Sequence, residues 1–124
     1  MELPGQQHSI GYFDGACEPV NPGGIATWGF VLYGDGQIVH QTCGLACEPW
    51  TPQATNNFAE YSALINLLEH AAAAGVTSLV ARGDSQLVVR QMTGVYRVNS
   101  PAIRPLYETA KLLADRFRKL QIEW

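Results

Sequence analysis

The stretch NFAEYSALINLLEHAAAAGVTSLVARGD, residues 57–84, changes its hydrophobic period partway along, and that change decides the fold. Leu64, Leu67, Leu68 and Ala71 recur at helical spacing, an alanine run follows, and Gly75 stands where a helix stops, so a helix is predicted over Asn57 to Ala74. Val76 to Gly83 then reads as a short apolar strand that ends on Asp84. Upstream, Ser9 to Asp14 alternates, with Ile10, Tyr12 and Asp14 on one face and Gly11 and Phe13 on the other, which is a second strand ending on a carboxylate. A right-handed crossover through the helix makes these two strands parallel, so both aspartates leave the sheet at one edge.

After the first of these strands, Cys17 to Gly24 holds two prolines and two glycines and is expected to be a loop. Ala26 to Tyr33 is rich in aromatic and β-branched residues, and Gly34-Asp35-Gly36 turns it back into Gln37 to Gly44, an antiparallel hairpin. After Asp84, Ser85 caps a brief helix through Met92, which Gly94 ends. Ser100-Pro101 reads as a cap followed by a proline at the first helical position. Ile103, Leu106, Tyr107, Ala110, Leu113, Ala114 and Phe117 form the apolar stripe of the helix it starts. Leu120 to Trp124 is the last strand. The order β-β-β-α-β-α-α-β describes an α/β sheet.

A chain of 124 residues, 47% hydrophobic and 15% charged, fits one compact domain, residues 1–124. No apolar run is long enough to span a bilayer and the start lacks the order of a secretory signal, so no membrane partner and a cytoplasmic location are expected. Cys17, Cys43 and Cys47 show no paired spacing and are read as free thiols. A net charge of −3 excludes gripping nucleic acid by bulk positive charge. Most of the basic residues fall between Arg97 and Lys119, chiefly at helical spacing, and are read as a solvated helix face.

Asp14 and Asp84 end strands, and Glu60 lies in the first turn of the long helix, beside the positive end of its dipole. Three carboxylates about 5 Å apart repel by roughly 3 kcal/mol per pair at an effective dielectric near 20, so such a cluster calls for cations, and all-oxygen ligands favour Mg²⁺ or Mn²⁺. Singly, each has a plainer explanation: Asp14 begins a turn, Glu60 balances a helix start, Asp84 caps a helix.

The surrounding text lifts the joint reading. Tyr12-Phe13-Asp14-Gly15-Ala16 with Asn21-Pro22-Gly23-Gly24, then Thr55-Asn56-Asn57-Phe58-Ala59-Glu60-Tyr61, then Gly83-Asp84-Ser85-Gln86-Leu87-Val88, resemble in order and spacing the three signature motifs of type 1 ribonuclease H. The resemblance implies a ribonuclease H-like fold, with a five-stranded mixed sheet of three antiparallel then two parallel strands and helices on both faces. It implies hydrolysis of the RNA strand of RNA/DNA hybrids by a two-metal mechanism leaving 5′-phosphate and 3′-hydroxyl ends. Asp14, Glu60 and Asp84 match three of the family's four metal-binding acids, catalytic in the same role. Gly15, Asn21, Asn56, Asn57, Ser85 and Gln86 match its substrate-contacting positions; neutral amides suit a 2′-hydroxyl, which both donates and accepts.

Family members carry a histidine and a fourth aspartate beyond the last strand, and this sequence stops before both. Glu123 lies too early to replace that acid, and His8, His40 and His70 are read as surface or edge residues. The expectation is therefore Mg²⁺, with Mn²⁺ as substitute, as two ions of which the second is weakly bound, and a homodimer covering apolar surface around Ile122 and Trp124. The competing readings are a catalytically weak or inactive hybrid-binding module and a different nuclease or recombinase on the same fold.

Overall fold

In the computed structural model, which describes residues 9–124, eight elements follow in the expected order. They are β1 (Ser9–Glu18), β2 (Ile25–Gly34), β3 (Gln37–Leu45), α1 (Asn56–Ala73), β4 (Ser78–Gly83), α2 (Gln86–Met92), α3 (Arg104–Ala114) and β5 (Lys119–Glu123). They form one sheet in the order β3-β2-β1-β4-β5. β1 pairs antiparallel with β2, and β2 with β3, whereas β1 and β4, and β4 and β5, run parallel.

Alternation along the strands decides what each face carries. Phe13, Phe30, Leu32, Leu79 and Ala81 point into one core with Tyr61, Leu64, Leu67 and Leu68 of α1, Val88 and Met92 of α2, and Ala110 and Leu113 of α3. Gly11 lets α1 lie close, since a Cβ there would come within 2.4 Å of Leu67 Cδ1. The other face, with Tyr12, Val31 and Arg82, lines an open cleft of about 620 Å³ that takes no lining residue from any helix. Helices on both faces were expected; the described ones converge on one, because the apolar stripes of all three feed the same cluster.

Three local expectations shift. The segment read as a loop from Cys17 begins two residues later, because Cys17 and Glu18 still pair with Ala26 and Ile25. α3 starts at Arg104 rather than at Pro101: residues 101–103 form a turn, Pro105 occupies the helix start, and the Ser100 hydroxyl accepts from Ile103 N–H at 3.3 Å. Ile122 faces the core and packs against it, so of the pair expected to lack cover only Trp124, 60% exposed, does.

The cap of α1 falls on Thr55, whose hydroxyl accepts from Phe58 N–H at 3.0 Å, and Gly75 ends the connection with φ of +83°. Ser85 caps α2 as expected, accepting from Val88 N–H at 3.2 Å. All three cysteines are free. Arg97, Arg104, Lys111, Arg116, Arg118 and Lys119 are exposed, as a solvated face requires.

Candidate active site

Parallel pairing of β1 with β4 brings Phe13 level with Gly83, so Asp14 and Asp84 follow directly at the same sheet edge, both exposed. α1 enters at this edge. Gly15 permits the approach, since a Cβ there would lie 2.3 Å from the carbonyl carbon of Ala59 and 2.4 Å from the nitrogen of Glu60. Glu60 therefore lies against β1, only 8% exposed.

Its carboxyl is pushed up to about 7, chiefly because burial penalises the charged form. A hydrogen bond from the Gly15 backbone opposes that rise, while the charges of Asp14 and Asp84 add to it. The three side chains thus feel one another. One Glu60 oxygen, Oε2, is buried without a hydrogen-bond partner. A buried unpaired carboxylate oxygen is costly, and a cation is the partner that would relieve it and both neighbouring repulsions together.

Among the described residues no three Asp, Glu, His or Cys side chains stand close enough to enclose an ion unaided. Magnesium tolerates that arrangement, because it keeps several waters and shares its shell with substrate phosphates rather than needing an all-protein cage. The all-oxygen set of Asp14, Glu60 and Asp84 fits such an ion.

The substrate-contacting candidates divide. Asn21 and Asn56 are exposed and linked, Asn56 N–H donating to Asn21 Oδ1 at 3.1 Å, and Asn57 is exposed beside them on the first turn of α1. Gln86 is exposed at the start of α2. Gly15 works through its backbone, holding Glu60, and Ser85 accepts the cap bond of α2, so both serve the scaffold of the site.

Tyr12, Arg82 and Trp124, none of them a site candidate from the sequence, line the cleft beside the carboxylates. Tyr12 and Arg82 are cross-strand neighbours on the face of Asp14, a placement only the strand pairing reveals. Glu123 is engaged at both oxygens, Oε1 in a salt bridge with Arg82 and Oε2 accepting from Gln121 at 2.8 Å, which agrees with leaving it out of the ligand set. His40 is exposed on β3, and its ring stacks on that of His70 with centroids 4.9 Å apart. His70 in turn bonds the carbonyl of Asn66 through Nδ1 at 2.7 Å; His8 lies outside the described residues.

A mixed sheet with acids at the ends of its parallel central pair, and a third acid on the helix between them, defines the ribonuclease H-like class. The family model described as "Reverse transcriptase-like" matches residues 13–124. The "Ribonuclease HI" of Halobacterium salinarum is 45% identical over 109 residues, which cover 86% of this chain and 50% of that protein, so the chain spans about half the length of this curated relative. The crystal structure of RNase H1 from the same archaeon superposes with a TM-score of 0.81 at 39% identity, covering 94% of this chain and 85% of the other. LC11-RNase H1, solved in complex with an RNA/DNA hybrid, gives 0.80 at 31% identity, with 94% and 84% covered. The chain belongs to this family and, within it, to the type 1, ribonuclease HI-like proteins.

Proposed function

We propose that this domain hydrolyses the RNA strand of RNA/DNA hybrids, with Asp14, Glu60 and Asp84 as its metal-binding catalytic acids. The observation that carries the reading is the buried, unpartnered oxygen of Glu60 against two further carboxylates. It is supported by the hybrid-bound relative and by the family's general use of divalent ions.

The residues divide the work. Asp14 and Asp84, at the solvent side, would present the cation to the phosphate, while Glu60 behind them completes the ligand set. Asp14, Glu60 and Asp84 would hold a divalent cation whose chemistry there would be Lewis-acid activation of a water for attack on the scissile phosphate; breaking the P–O3′ bond leaves 5′-phosphate and 3′-hydroxyl ends. Mg²⁺ is the ion proposed, with Mn²⁺ as substitute and the second ion held weakly. Asn21, Asn56, Asn57 and Gln86 contact the hybrid's minor groove; with a net charge of −3, the protein relies on such groove contacts more than on phosphate attraction.

The test is cleavage of a labelled RNA/DNA hybrid beside RNA/RNA and DNA/DNA duplexes, in Mg²⁺ and in Mn²⁺, with Asp14→Asn as control. Hybrid-only cleavage that the substitution abolishes is the expected result. A second reading, a hybrid-binding module with weak turnover, is favoured by the engagement of Glu123, which leaves that acid unavailable as a further ligand. Hybrid binding without cleavage in either metal would select it.

A further inference from the structure

Two of the three acids are tied to one another through the core. Tyr61, which follows Glu60 in α1, is fully buried, and its hydroxyl lies 2.7 Å from Oε1 of Gln91, a buried residue in the last turn of α2. Gln91 Nε2 lies 3.3 Å from the carbonyl oxygen of Arg97, in the segment after α2. A carbonyl oxygen can only accept, so the amide nitrogen must face it, which turns Oε1 toward Tyr61 and makes the phenol the donor. Neither side chain can be turned without leaving a buried polar atom unmatched.

The bond joins the two helices that adjoin the acids. Glu60 lies in α1, held against β1 across Gly15. Asp84 stands between Gly83, the end of β4, and Ser85, the cap of α2. Strand pairing brings Asp84 to the sheet edge, with Gly83 opposite Phe13, but it does not set the direction of the helix that follows. Gln91 lies about two turns beyond Asp84, so α2 is a short lever with the acid at one end and the bond to Tyr61 near the other. Val88 and Met92 press α2 into the shared core, yet apolar contact has no preferred direction, whereas a buried hydrogen bond has one length and one line.

We propose that the buried Tyr61–Gln91 hydrogen bond is a spacer that sets the distance between Glu60 and Asp84, and through it how tightly the carboxylates hold a divalent ion. This rests on the metal-binding reading of the three acids and deepens it. Tyr61 and Gln91 lie buried behind the ligands and touch neither ion nor substrate, so both are positioning residues. Groups that orient ligands from behind govern metal affinity without entering the coordination sphere.

Tyr61→Phe keeps the ring and removes only the hydroxyl; Gln91→Met keeps the length of the side chain and removes both polar ends. Mn²⁺ binding without nucleic acid, followed through the electron paramagnetic signal of the free ion, is expected to weaken about tenfold in each. The double variant should bind no more weakly than either single one, because both remove the same bond. Hybrid binding without divalent ions should be unchanged, and in cleavage the deficit should close at high Mn²⁺ with the KM for hybrid unmoved. Leu113→Ala, a core truncation on α3 that also costs stability, should leave Mn²⁺ affinity as it is. If Gln91→Met fails to fold, Tyr61→Phe decides alone. Variants that bind Mn²⁺ as tightly as the unsubstituted protein, a Leu113→Ala deficit as large as theirs, or losses that add in the double variant would overturn the spacer. An unsubstituted protein that binds no Mn²⁺ would overturn the metal-binding reading itself.

Discussion

Asp14 and Asp84 stand in solvent at the ends of neighbouring parallel strands, whereas Glu60, of the same chemistry and in the same cluster, is packed between β1 and its own helix. Water reaches both aspartates. Glu60 is shielded from it, and its carboxyl is pushed up to about 7 because burial and its two neighbours disfavour the anion. The contrast teaches that the exposed acids can be altered with little effect on folding, while the buried one links catalysis to stability.

The largest expected effect follows from removing an exposed acid. Asp14→Asn should lower hybrid cleavage by about a thousandfold, roughly 4 kcal/mol of barrier, with the thermal midpoint nearly unmoved, as single-turnover kinetics and calorimetry would show. A large fall in the midpoint would erase the contrast.

Glu60 sharpens it through pH. Its folded pKa of about 7 lies above the ordinary 4.5, so its contribution to stability is fully present below about pH 4.5 and is lost as pH rises through about 7. Metal-free protein should therefore lose about 3 kcal/mol across that window. In Glu60→Gln the loss should vanish, leaving a protein that is more stable at pH 8 and inactive. Chemical denaturation at pH 4.5 and pH 8 checks both, and a slope retained in the variant would show that other groups set it.

Gly15→Ala attacks the packing that buries Glu60. A methyl group 2.3 Å from the Ala59 backbone has to displace the helix start, at about 1 to 3 kcal/mol, and should raise the Mn²⁺ requirement for cleavage as Glu60 moves with it. The smallest effect concerns the open face. We expect the apolar surface of Tyr12, Val31 and Trp124 to support weak homodimers, visible as concentration-dependent sedimentation up to near-millimolar protein and reduced in Tyr12→Lys.

Much of this was legible in the sequence where a signal is local. The helix expected over Asn57 to Ala74 forms over Asn56–Ala73, and the alternation of Ser9 to Asp14 places Asp14 at the working edge. What was not legible depends on contacts across the sheet. Cys17 is held in β1 by pairing with Ala26, and the short apolar tail gives no sign of which face it covers, so Ile122, expected to lack part of its cover, is found packed against the core. Ser100-Pro101 resembled a helix start because its cap bond does form, but the helix waits for the turn that follows. Gly15 matched a substrate position, yet its lack of a side chain matters for letting α1 approach, a requirement no motif states.

The placement of β1 also bears on how the domain comes into being. Among the described residues the earliest strand, β1, is the middle strand of the sheet, and its second partner is β4, with Phe13 opposite Gly83. A nascent chain can close the β1–β2–β3 meander early, but the other edge of β1 stays open until the residues through Gly83 have emerged. Such sequence-distant closure is slow, and an open edge invites pairing with the wrong strand. Asp14 and Asp84 come together only in that late step, so a nascent or cleaved fragment ending before Ser78 would carry two of the three acids and no working site.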